Sequence, residues 1–132
     1  MFTVEQIKAA HSKVKSGADF PNYVREIKAL GLVKYEYLVA DGRTIYYGDN
    51  NFTTEAPAIY PEKKINPISS ASTIEQVIRE HQQGKSDFLT FCQLAADAGV
   101  HHWEVNTQTM LCTYIDSAGS PMLAEPIPQG SY

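Results

Sequence analysis

Cysteine is scarce in this chain: only Cys92 and Cys112 occur among 132 residues, and neither has a neighbour at metal-ligand spacing. That usage suits a reducing compartment better than a secreted disulfide scaffold, with both thiols as small core residues and a bridge between them left open. Long apolar runs are missing too. No stretch approaches the roughly 20 apolar residues of a membrane span, and Glu5 and Lys8 interrupt the N-terminal segment where a signal peptide needs an unbroken apolar core. A soluble, cytoplasmic protein with no membrane partner is expected. Clustered positive charge is also wanting: the net charge is −4 and the longest basic run is Lys63-Lys64, which argues against nucleic acid as a partner. No GxSxG, HExxH, CxxC or glycine-rich nucleotide fingerprint occurs, so no enzyme class, metal or cofactor is called for.

What is present is ordinary globular material, 43% hydrophobic and 20% charged, enough to bury a core in one domain spanning residues 1–132. Within it the chain is similar to itself. TVEQIKAAHSKVKS from Thr3 recurs as TIEQVIREHQQGKS from Thr73, and DFPNYVREIKALGLVKYEY from Asp19 recurs as DFLTFCQLAADAGVHHWEV from Asp87. Identities retained between the copies include His11/His81, Ser16/Ser86, Phe20/Phe88, Gly31/Gly99, Glu36/Glu104 and Tyr46/Tyr114. Such self-similarity marks a duplicated supersecondary unit. The repeats are placed at about 3–59 and 73–128, joined by a Pro-, Lys- and Ser-rich linker at 60–72.

Each copy reads as two helices and a hairpin. Thr3 with Gln6, and Thr73 with Gln76, form candidate capping boxes, and an apolar stripe follows each, carrying His11 or His81. Asp19 and Asp87 open the second helices, which end at glycines suited to a left-handed cap, Gly31 and Gly99. The period then changes from 3.6 to 2: Val33, Tyr35, Tyr37 and Val39 alternate with polar residues, Asp41-Gly42 makes a turn, and Arg43–Tyr47 returns. The second copy runs His101–Thr107 and Met110–Ile115. Glu55–Ile59 and Ala124–Pro128 form a weaker third pair of extended segments whose prolines confine them to a sheet edge. The expected fold is α+β: a tandem duplication of an ααββ unit about a pseudo-two-fold axis, with a mostly antiparallel sheet covered by four helices on one face.

Candidate chemistry follows from what the copies share. His101-His102 with Glu104 looks like a metal or acid/base cluster, but its counterpart is Val33-Lys34 with Glu36, so the pair is no feature of the repeat. Alternation puts His101 with Trp103 on one strand face and His102 with Glu104 on the other, which argues against metal ligation. His11, Glu36, His81 and Glu104 are the retained titratable residues. They are read either as a buried histidine–carboxylate bond linking helix to sheet in each half, or as a ligand-binding set. Lys15-Ser16 and Lys85-Ser86 precede the Asp caps in turns that suit anions, but neither copy supplies the glycines of a phosphate loop and a plain capped turn explains them better. Tyrosines on the hairpins, with Trp103, form either cross-strand packing or an exposed aromatic face through which a homodimer could assemble.

These segments, together with KYEYLVADGRTIYYG and CTYIDSAGS, resemble over nearly the whole chain a bacterial domain-of-unknown-function family often labelled "phage envelope protein". Members occur in prophages as well as ordinary chromosomes. The resemblance implies a small binding or accessory protein of prophage origin and brings no activity, cofactor or catalytic residue with it. The alternatives are a small-ligand sensor or enzyme using His11, Glu36, His81 and Glu104, and a homo-oligomerising interaction module.

Overall fold

The computed structural model describes residues 2–14 and 19–127. Two helices, α1 (Val4–His11) and α2 (Phe20–Ala29), lead into three strands, β1 (Leu32–Leu38), β2 (Thr44–Gly48) and β3 (Thr53–Ala56). The same order follows in α3 (Ala71–Gln82), α4 (Phe88–Asp97), β4 (Val100–Asn106), β5 (Leu111–Asp116) and β6 (Pro121–Pro126). The six strands form one antiparallel sheet in the order β3-β2-β1-β4-β5-β6. The fold is α+β. The third strands are full members of the sheet, so each set of elements is ααβββ where ααββ was expected. They occupy its two edges, and β6 begins and ends with proline, as a strand lacking ladder donors must.

Local chemistry sets the boundaries. At α1 the capping box forms as expected: the Gln6 amide donates to the Thr3 hydroxyl oxygen, and the Thr3 amide donates to the Gln6 side chain. At α3 the helix starts a turn earlier than expected. Ser70 is its cap, accepting from the Thr73 amide, because its extended backbone turns the hydroxyl back onto the first turn. The Asp87 carboxylate accepts from the Thr90 amide at 2.7 Å and so fixes the start of α4. Gly31 and Gly99 end α2 and α4 at φ +101° and +90°, where a side chain would be strained. At Gly99 a Cβ would also lie 2.6 Å from the Ser69 Cα, so the glycine lets the linker pass beneath the helix end. The linker is docked: its Asn66 and Ser70 amides donate to the Ala96 and Ala98 carbonyls.

Both hairpins share a register. Tyr35 pairs with Tyr46 and Trp103 with Tyr114, and each hairpin carries a bulge just after its glycine, between Leu32 and Lys34 and between Val100 and His102. At the centre β1 and β4 pair so that Glu36 faces Glu104, Tyr35 faces Val105 and Tyr37 faces Trp103. Thr107, fully buried, ties this junction by aiming its hydroxyl at the Leu32 and Val33 carbonyls, at 2.6 and 2.8 Å.

Strand alternation divides the sheet into unlike faces. Tyr35, Tyr37, Tyr46, Trp103, Val105 and Tyr114 are buried on the face that meets the helices. α2 packs on β1, α4 on β4, α1 on β3 and α3 on β6. Lys34, Glu36, Tyr47, His102, Glu104 and Thr113 are half-buried on the opposite face. The hairpin tyrosines, for which an exposed face was one expectation, are with the exception of Tyr47 core residues of the helix-covered face.

Candidate functional site

The helix-covered face is aromatic, and flat rings meeting at angles do not fill space. Tyr37 and Trp103 stack at 4.3 Å, but Phe88 meets Trp103 at 90° and Tyr23 meets Tyr35 at 66°. Positions beside them are small: Thr44, Ala56 and Cys112. The result is a cavity of about 310 Å³ between sheet and helices. Tyr35, Tyr46, Trp103 and Tyr114 wall it on the sheet side, and all four helices close it, through Ile7, Tyr23, Ile78 and Phe91 among others. Exposed Lys8, Gln82 and Ile59 line it where it reaches solvent.

His11 and His81 both line this cavity. The His11 ring lies edge-on to Tyr23 and Phe88, with centroids at 5.3 and 6.1 Å, and keeps its other side exposed. The His81 ring stacks on Phe91 at 4.5 Å, and its Nδ1 lies 3.0 Å from the Ser86 carbonyl oxygen and 3.1 Å from the Ser86 hydroxyl. A carbonyl only accepts, so Nδ1 carries the proton and Nε2 keeps a lone pair. Loss of hydration lowers the pKa of both rings, opposed at His81 by the Ser86 carbonyl and the Asp87 charge. Both rings are neutral at physiological pH.

Glu36 and Glu104 lie elsewhere. They face each other across the central strand pair on the open side of the sheet. Glu36 accepts from the Tyr47 hydroxyl at 2.7 Å, a bond that pushes Tyr47 up to about 12, and Glu104 pairs with Lys34 at 3.1 Å. Among the described residues no hydrogen bond or ion pair joins either histidine to either glutamate. The expected histidine–carboxylate link therefore does not form, because the stripe of each helix faces one side of the sheet while residues 36 and 104 point to the other.

The bulge at the start of β4 also alters the His101-His102 reading. Two residues there oppose one, so alternation breaks, and the two Nδ1 atoms come within 2.9 Å on the open side. His101 is exposed and does not accompany Trp103 inward. Burial and the neighbouring His101 lower the His102 pKa. Among the described residues no three His, Cys, Asp or Glu side chains are grouped to hold a metal. Of the two turns suited to anions, Lys15-Ser16 lies outside the described residues, and Ser86 in the other is committed to His81.

Both cysteines are free and buried. Cys92 belongs to a hydrogen-bond chain whose direction can be assigned from its end. The Tyr60 hydroxyl donates to the Val39 carbonyl at 2.7 Å, so it accepts from Tyr37 at 3.2 Å, and Tyr37 in turn accepts from the Cys92 thiol at 3.3 Å. Burial raises the Cys92 pKa, and burial pushes Cys112 up to about 12, so both remain thiols.

Residue spacing alone did not point to the cavity. Two signals for it were available. Bulky rings recur at inward positions of four central strands opposite small residues, an arrangement that leaves space. His11/His81 and Ser16/Ser86 are also retained at the same separation, and in the second half that separation is the His81–Ser86 bond; Ser16 lies outside the described residues.

No curated protein matches the chain. A family described as protein of unknown function, DUF1398, matches residues 8–126, and the chain belongs to that family.

Proposed function

We propose that the protein binds a small, largely apolar molecule in the cavity between helices and sheet, and acts as a ligand-binding or sensing protein. The cavity itself carries this reading. An engineered apolar void of about 150 Å³ is enough to take up benzene, and this one measures about 310 Å³. The space opens to solvent beside Lys8, Gln82 and Ile59, and an apolar occupant would bury its surface against the rings at about 25 cal/mol per Å².

The same proposal takes residues 1–132 as one domain built from two copies of an ααβββ unit about a pseudo-two-fold axis. Register supports it: rotation about an axis through the Glu36–Glu104 pair exchanges the pair Tyr35–Val105 with Trp103–Tyr37. Corresponding residues of the two halves then line one cavity, His11 with His81, Phe20 with Phe88 and Tyr46 with Tyr114. The site lies on the junction and needs both halves. A cytoplasmic setting rests on the two free thiols, and a prophage origin rests on the family resemblance alone. Among the described residues no helix is long and apolar enough to cross a membrane.

Thermal unfolding with naphthalene tests the site. Saturable stabilisation of the wild type is expected, reaching about 2.7 kcal/mol at a hundred times the dissociation constant. Ala56→Phe, which places a ring in the cavity, should abolish it. No stabilisation of the wild type, or equal stabilisation of the variant, would remove the cavity from consideration.

A further inference from the structure

We propose that the occupant is a neutral two-ring aromatic molecule carrying a hydroxyl or N–H that donates to Nε2 of His81. This rests on the reading of the cavity as a binding site and adds the ligand's chemistry to it.

Three observations lead there. Size comes first: a space of about 310 Å³ is twice the roughly 150 Å³ that accommodates one benzene ring. Shape follows from the walls, since planar rings of Trp103, Phe91, Tyr35 and Tyr114 offer faces and edges to another planar ring. Polarity is set at His81. Its Nδ1 proton is committed to the Ser86 carbonyl, and the stack on Phe91 fixes the ring plane. Nε2 is then the one hydrogen-bonding atom of that ring with no partner among the described residues. It is an acceptor, and a ligand satisfies it only by donating. Among the described residues His11 makes no hydrogen bond, and Ser16, which matches Ser86, lies outside them, so the assignment is made at His81 alone.

Charge is selected against by the same lining. Burial keeps both histidines neutral and raises Tyr23, Tyr35 and Tyr114 far above physiological pH. Among the described lining residues an organic anion would find one cation, Lys8, exposed at the solvent side. An anion entering deeper would lose its hydration without an ion-pair partner.

Isothermal titration of the wild-type chain with 2-naphthol, 2-methoxynaphthalene and 2-naphthoate decides the matter, because the three share a ring system and differ in what they offer His81. Naphthol should bind at least tenfold more tightly than the methoxy compound, and naphthoate most weakly. His81→Phe, which keeps the ring stack and removes the acceptor, should equalise naphthol and the methoxy compound. Should that variant fail to fold, the wild-type ranking decides alone. Equal binding of naphthol and its methyl ether would overturn the donor assignment and leave the cavity standing as a site. Preference for naphthoate would overturn it in favour of an anion held by Lys8. Binding of none of the three would overturn both the ligand class and the cavity.

Discussion

The two faces of the sheet carry similar numbers of polar-capable side chains and treat them in opposite ways. On the open side, charges and imidazoles meet in pairs that water still reaches: Glu104 with Lys34, Glu36 with Tyr47, His101 with His102. On the covered side, hydroxyls and thiols are embedded among rings around a void, and His11 and His81 border it, each with part of its ring exposed. Solvent, more than residue type, decides what a titratable group can do here. A charged pair on the open face contributes little energy, and on the covered face the proposed site offers a neutral acceptor.

Perturbing the two faces should produce very different effects. Trp103→Ala removes a ring that is 5% exposed and stacked on Tyr37 at 4.3 Å, and should destabilise the chain by about 3–5 kcal/mol in urea unfolding. A loss below about 1 kcal/mol would show that the aromatic face is not the core. Thr107→Val, at the junction of β1 and β4, should cost about 1–3 kcal/mol, because it removes the hydroxyl donor from the buried Leu32 carbonyl, while the Val33 carbonyl keeps the Thr107 amide. On the open face Glu104→Gln, next in sequence to Trp103, should change stability by less than about 1 kcal/mol, since its partner Lys34 is partly exposed. A loss as large as that of Trp103→Ala would erase the distinction between the faces.

Acid should act through histidines on both faces. The folded-state pKa values of His11 and His81 lie below the ordinary 6.5, as does that of His102 on the open side. Between those lowered values and about 6.5 the unfolded chain binds more protons than the folded one, so stability rises with pH through that window. It is complete above about 6.5 and is lost as pH falls below it. The urea midpoint should drop on acidification from pH 7 toward 5, and His81→Phe should make the drop shallower. A midpoint that rises on acidification would contradict the assignment of neutral, partly desolvated imidazoles.

The alternation of Val33, Tyr35, Tyr37 and Val39 and the glycines at 31 and 99 made the helix–helix–hairpin order legible, because period and left-handed caps are local properties. The third strands were harder to read: β3 is only Thr53–Ala56 and β6 is bounded by prolines, so their pairing comes from the neighbouring strand and not from their own pattern. The start of α3 was misplaced since Ser70 and Thr73 both make good caps, and the docked linker selects between them. His11 and His81, retained in both copies, both line the cavity, and Glu36 and Glu104 do not. Glu36 and Glu104 are retained with them, yet alternation sends those side chains through the sheet to its far side. A bulge at His101 is likewise invisible to a two-residue period. The cavity depends on how rings from six different elements fail to mesh, a property of three-dimensional packing.

The most direct measurement is a crystal structure of the chain grown with saturating 2-naphthol. The ring system is expected between Trp103 and the helices, with its hydroxyl at hydrogen-bond distance from Nε2 of His81. Naphthol bound only on the open face of the sheet, or a cavity holding nothing but water at saturation, would contradict it.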